Sequence, residues 1–259
     1  MVVPEHVAQA ARDGDIVAVE AFLDAEPGAI NDRDEESELT LLMSGMNSSI
    51  KERHVDFARW LIARGADVNI GNLEDNFPLH YASFPGDCSS SMVSLLLESG
   101  ARVNARTIDE GEMTPLGQLI EDFDYHLWQN NVAENRRRIS RSGLEIMKLL
   151  LKAGASIDRC RGDLSAEAAM QEFLSHRPHY ANDEFFARCR ELVAGVRAHG
   201  SYKSFAREPH RQFLRLRSLL VRGRAEVRGR TKDSRRLERI ARLPNGACWH
   251  VLSFWRDAG

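Results

Sequence analysis

The sequence is poor in cysteine and has no long apolar run. Its four cysteines, Cys88, Cys160, Cys189 and Cys248, lie far apart with no C-x-x-C pair, which argues against a disulfide framework and a zinc knuckle and leaves buried thiols as the expectation. No stretch approaches the roughly 18 apolar residues that suggest a membrane span, so a soluble chain is expected. The opening Met1-Val2-Val3-Pro4-Glu5-His6 lacks the basic stretch and apolar core of a secretory signal, which points to a cytoplasmic or nuclear location. Glycine-rich phosphate loops, metalloprotease helices, G-x-S-x-G elbows and calcium loops are missing as well. No catalytic, cofactor-binding or metal-ligating residue is therefore assigned, and an enzyme is not expected. His176 and His179 stand three apart without a cysteine or carboxylate cluster to complete a metal site, so they read as surface histidines. Asn47-Ser48-Ser49 is a glycosylation sequon by spelling alone, and Arg136-Arg137-Arg138 reads as a solvated face.

What is present is an uneven distribution of charge. The net charge of −3 hides 15 Lys and Arg against 5 Asp and Glu from Tyr202 to Gly259, while residues 1–201 carry 20 against 33. An acidic body followed by a basic C-terminal module is implied.

Three phrases within the acidic body end alike: Leu61 to Asn69, Leu96 to Asn104 and Leu150 to Asp158 each read Leu-Ile/Leu-x-x-Gly-Ala-x-Val/Ile-Asn/Asp. This is an internal repeat with a period of about 33, and the wider spacing before the third copy implies an insertion, placed near 121–143. Val55, Phe57, Ala58, Leu61 and Ile62 recur at helical spacing, as do Met92, Val93, Leu96 and Leu97, and Ile146, Met147, Leu150 and Leu151. Gly65, Gly100 and Gly154 then fit the left-handed position that closes a helix. Phe77-Pro78-Leu79-His80-Tyr81-Ala82 and Thr114-Pro115-Leu116 open new helices, with proline where an amide hydrogen would have no partner.

These residues resemble the ankyrin repeat, whose opening is T-P-L-H-x-A. The resemblance implies an all-α ankyrin-type helical solenoid of about five repeats over 1–201, from a capping unit around Ala10 to Leu23 to a worn unit running from Ser165 to Gly200. His80, within the opening motif, is expected to brace the turn by hydrogen bonding. The resemblance further implies that the loops between units, the fingers, and the first helix of each pair make a protein-binding surface. The fingers are Asn31 to Leu39, Ile70 to Phe77, Ala105 to Met113 and Arg159 to Asp163, and they carry Asp34, Glu35, Glu74, Asp75, Asp109 and Glu110 as candidate contacts for a basic protein partner. The competing reading is that polar tips simply stay wet.

Residues 202–259 are read as a basic helical module capping the repeats. On a helix, Phe213, Leu216 and Leu220 share one side and Arg211, Arg215 and Arg222 the other, while Cys248, Val251, Leu252 and Trp255 form a later stripe. Trp249 and Phe254 flank that stripe as candidate aromatic anchors. Leu243-Pro244 followed by Val251 to Phe254 resembles the opening of an F-box, and Ser218-Leu219 with Leu243-Pro244 resembles a SOCS box. Either resemblance implies an alternative function, a ubiquitin-ligase substrate receptor that recruits its adaptor through this module. Nucleic-acid binding by the arginines is the weaker alternative, because the aromatics sit in the stripe rather than among the arginines. The expected protein is a monomeric interaction scaffold without a cofactor, using no membrane.

Overall fold

The structure, a computed structural model, describes residues 2–46, 52–85, 89–108, 111–122 and 133–222. The chain divides into two compact units, Met1–Tyr202 and Lys203–Gly259.

Among the described residues the first unit is a row of five helix pairs: α1 (Glu5–Asp13) with α2 (Ile16–Ala25), α3 (Leu41–Ser44) with α4 (Glu52–Ala63), α5 (Pro78–Ala82) with α6 (Ser89–Glu98), α7 (Pro115–Glu121) with α8 (Ala133–Ala153), and α9 (Ala166–His176) with α10 (Glu184–His199). Short 3-10 turns, Pro27–Asn31 and Pro178–Asn182, follow α2 and α9. The first helices pack in sequence, α1 on α3, α3 on α5, α5 on α7 and α7 on α9, while α4, α6, α8 and α10 make the second row. The β-type pairing among the described residues is confined to isolated bridges, each with at least one partner in a finger. The architecture is an all-α solenoid, in which each pair hides its apolar face only by stacking on its neighbours.

The apolar positions read from the sequence form the seam between the two rows. Phe57, Leu61, Met92, Val93, Leu96, Ile146 and Leu150 are all fully buried. The Leu-x-x-Gly-Ala endings owe their form to the turn that follows. Gly65, Gly100 and Gly154 have φ of +101°, +89° and +96°, and the next residue folds back so that Ala66, Ala101 and Ala155 donate to the carbonyls of Leu61, Leu96 and Leu150 at 3.0, 2.9 and 2.9 Å. That six-residue closure satisfies carbonyls a helix end would otherwise leave open. The leucine thus serves twice, its side chain in the core and its carbonyl in the cap.

Helix starts use the polar residues available at each opening. Asp15 accepts from Val17 and Ala18, Thr40 from Met43, Thr114 from Gly117, Ser165 from Ala168, and Asp183 from Phe185 and Phe186. At α5 Phe77 has no such side chain, and His80 substitutes. Its Nδ1 accepts from the Phe77 N–H at 3.1 Å while Nε2 donates to the Met113 carbonyl of the next finger at 3.0 Å. His80 is therefore a brace within and between repeats, as its place in the motif suggested.

Helix α8 starts at Ala133, inside the stretch assigned to the insertion, and runs for 21 residues. Ser140, Ser142 and Leu144 are already buried, so the last turns of that stretch belong to the packed second helix. The described element of the second unit is α11, Tyr202–Val221, which begins at the last residue of the first. Arg211 and Arg215 on it, and Arg222 just after it, are exposed, whereas the side chains of Phe213, Leu216 and Leu220 lie outside the described residues. The stripe from Cys248 to Trp255, with Trp249 and Phe254 and the two box-like segments, also lies outside them.

Candidate partner-binding surface

Each finger is a tight loop held by its own polar residues and then tied to the next. In the first, Asp34 accepts from the amides of Glu36, Ser37 and Leu39 and from the Ser37 hydroxyl. Burial pushes its carboxyl up, but these four bonds together outweigh burial and hold it below the usual carboxylate range. Asp34 is only 3% exposed. Its carboxylate is spent on shaping the turn, so it does not project toward a partner. In the second finger the Asn72 side chain does the same job, accepting from Glu74 at 3.1 Å and Asn76 at 2.8 Å. In the third, Thr107 and Met113 close the loop by reciprocal bonds of 3.1 and 2.9 Å.

Links between fingers come from arginine and from the backbone. Arg33 Nε donates to the Gly71 carbonyl at 3.0 Å. Arg106, at the matching place in the third finger, donates to the Gly162 carbonyl and pairs with Glu112 at 3.1 Å. The Ile108 N–H bonds the Glu74 carbonyl at 3.0 Å, and the Thr114 N–H bonds the Cys160 carbonyl at 2.9 Å. Behind the fingers, Asn31, Asn69 and Asn104 each bridge to the following repeat, donating to the carbonyls of Gly65, Gly100 and Gly154. The same side chains accept from the amides of Asp67, Arg102 and Ser156, each at 2.8 Å.

On this frame the acidic tips are held in an unusual backbone state. Glu38, Asp75 and Glu112 have φ of 58°, 52° and 40°, a left-handed conformation that strains any residue with a Cβ. Each stands two residues before the helix-opening Thr40, Phe77 or Thr114. Glu35, Glu36, Glu38, Glu74 and Glu112 are exposed and Asp75 is half-buried. Asp109 and Glu110 lie outside the described residues.

Two features of the surface were missed by sequence reasoning. Leu73 and Ile108 stand out on the tips at 56% and 66% exposure. The arginine braces at Arg33 and Arg106 had a legible signal, the repeated Asn-x-Arg of Asn31-Asp32-Arg33 and Asn104-Ala105-Arg106. Beside the fingers, an open cleft of about 480 Å³ is lined by Glu121, Arg161, Glu172, Phe173, His176 and Arg177. Arg161 reaches Glu121 at 3.1 Å and Glu172 at 3.4 Å there, which leaves the cleft mixed in charge.

No group of three or more His, Cys, Asp or Glu side chains is placed to hold a metal among the described residues, and among them no helix is long and apolar enough to cross a membrane. Burial pushes the thiols of Cys160 and Cys189 up, to about 11 and about 12, far from reactive thiolates.

Comparison with known proteins agrees with this geometry. Residues 7–107 match the family described as ankyrin repeats (3 copies). A stretch of 108 residues is 28% identical to a fowlpox virus (strain NVSL) protein named as an ankyrin repeat protein, covering 42% of this chain and 15% of the viral one. Residues 7–107 are thus ankyrin repeats, and the described helix pairs stack as an all-α solenoid.

Proposed function

We propose that this chain is a non-catalytic protein-binding scaffold whose fingers and first helices form the contact surface for a basic partner. Ankyrin repeats in general mediate protein–protein interaction, which gives the coarse reading. The finer reading rests on one observation: the fingers spend their backbone and arginine hydrogen bonds on one another, while Glu35, Glu38, Glu74 and Glu112 stay exposed at the tips. A surface fixed before binding loses little conformational entropy on association. A row of like charges on it accelerates encounter with an oppositely charged protein and repels the wrong one.

The test is affinity purification of the full chain with mass spectrometry, beside a variant carrying Glu35→Lys and Glu74→Lys. Loss of recovered proteins from the variant, with the wild-type complexes weakening as salt rises, is the expected result. Unchanged recovery at every salt concentration would place binding elsewhere on the chain.

A further inference from the structure

The tips of the second and third fingers combine two kinds of surface. Large hydrophobic side chains stand exposed at five positions among the described residues, and two of them, Leu73 and Ile108, are on these tips. They are brought together by the backbone: the Ile108 N–H bonds the Glu74 carbonyl at 3.0 Å, one residue from Leu73. Single exposed leucines are ordinary, but two large apolar side chains exposed on loops joined by a backbone hydrogen bond are the kind of surface a partner covers. Nothing about the fold requires them, since the loops are held by Asn72, Thr107 and the backbone rather than by these side chains.

The sequences of these two fingers are acidic. Ile70 to Phe77 and Ala105 to Met113 contain Glu74, Asp75, Asp109, Glu110 and Glu112 against one basic residue, Arg106. Arg106 is already committed to Glu112 and to the Gly162 carbonyl. A purely basic ligand would leave Leu73 and Ile108 in water, and a purely apolar one would set uncharged groups against the carboxylates. Both parts are satisfied by a segment in which a large apolar side chain is flanked by lysine or arginine.

We infer that Leu73 and Ile108, with Glu74 and Asp75 on the same pair of fingers, form a docking patch for a segment of another protein that presents a large apolar side chain between basic residues. This rests on the scaffold reading above and narrows it to one pair of fingers. The apolar contact sets the lifetime of the complex and the carboxylates set its rate of formation and its salt dependence.

The test uses immobilised synthetic peptides of about twelve residues in three classes and measures binding of the full chain by interferometry. One class has Leu or Phe between Lys and Arg, the second has Ser between Lys and Arg, and the third has Leu or Phe between Asp and Glu. The first class should bind at least about tenfold more tightly than either other, a difference of one decade in Kd. Leu73→Ser with Ile108→Ser should erase its advantage over the second class, and Glu74→Lys its advantage over the third. Val17→Ser, at a residue 77% exposed on α2, should change nothing, and circular dichroism should show all variants equally helical. Equal binding of the three classes, or an undiminished preference in the Leu73→Ser/Ile108→Ser chain, overturns the inference. The scaffold reading is tested separately: proteins recovered by the wild type and lost with Glu35→Lys, yet indifferent to Leu73→Ser/Ile108→Ser, would uphold it while overturning this patch.

Discussion

Asn104 holds both sides of the turn that begins at Gly154, donating to the Gly154 carbonyl at 3.2 Å and accepting from the Ser156 N–H at 2.8 Å. The two residues are 50 apart in sequence, yet the bridge has the same form as Asn31 to Gly65 and Asn69 to Gly100. Extra chain between repeats therefore leaves their register intact. At the next junction the ladder stops. Asp158 occupies the asparagine position, and a carboxylate cannot donate to a carbonyl. It pairs instead with Arg197, which also makes two 2.9 Å bonds to Glu167.

This contrast gives the first prediction. Asn69→Ala and Asn104→Ala each remove two cross-repeat bonds and should each cost about 1–3 kcal/mol in urea denaturation. Asp158→Ala removes an exposed ion pair and should cost about 0–1 kcal/mol. Equal losses at all three would show that the ladder has no special role.

Core and backbone effects are separable at two glycines. A Cβ on Gly117 would lie 1.9 Å from the Cys160 carbonyl oxygen, whereas one on Gly154 meets nothing within 4 Å. Gly117→Ala must displace the fourth finger from α7 and should destabilise by at least about 1–3 kcal/mol. Gly154→Ala should cost about 1–2 kcal/mol through its φ of +96° alone. Thermal unfolding of both, beside Gly28→Ala where nothing is within 4 Å and φ is negative, reads the difference.

Leu96 and Leu150 are fully buried, and replacing either with alanine should cost about 2–5 kcal/mol. A loss below about half a kcal/mol at both would be incompatible with the packing of α6 against α8.

Glycine should be better than the native residue at the strained tips. Glu38→Gly and Glu112→Gly relieve a left-handed penalty of about 1–2 kcal/mol and give back part of it as chain entropy, for a net gain of roughly 0.5–1 kcal/mol. If charge at these tips serves binding, the same variants should lose partner affinity while melting higher. Stability and binding that fall together would instead make the tips part of the frame.

Two carboxylates impose opposite pH dependences. Asp34 is held below the usual range in the folded chain, so its contribution is present above the unfolded value near 3.9 and is lost as pH falls through the lower folded value. Asp122 is raised to about 6, by burial first and by Glu121, against the opposing bond from Gln118. Its contribution is present below about pH 4 and lost as pH rises through about 6. Asp122→Asn should therefore raise stability at neutral pH and leave it unchanged near pH 3.5, while Asp34→Asn should lower stability at neutral pH and flatten the acid limb. Urea midpoints measured across that range decide both.

The sequence by itself determined the repeat and the helix faces. Periodic leucines, helix-opening prolines and helix-closing glycines are local requirements of the backbone, each legible without knowing the partner in space. His80 was legible for the same reason, because its bond to the Phe77 N–H is three residues away. The finger surface was not. Asp34 and Glu35 are neighbours with similar chemistry, and only the curl of the loop buries one among amides and leaves the other in solvent. The extent of α8 likewise followed from packing, since Ser140 and Ser142 look polar in sequence and are buried in the stack. Leu73 and Ile108 sit in different repeats, 35 positions apart. Their proximity is decided by a backbone bond between two loops, and hydrogen bonds between loops carry no side-chain signature for a sequence to record.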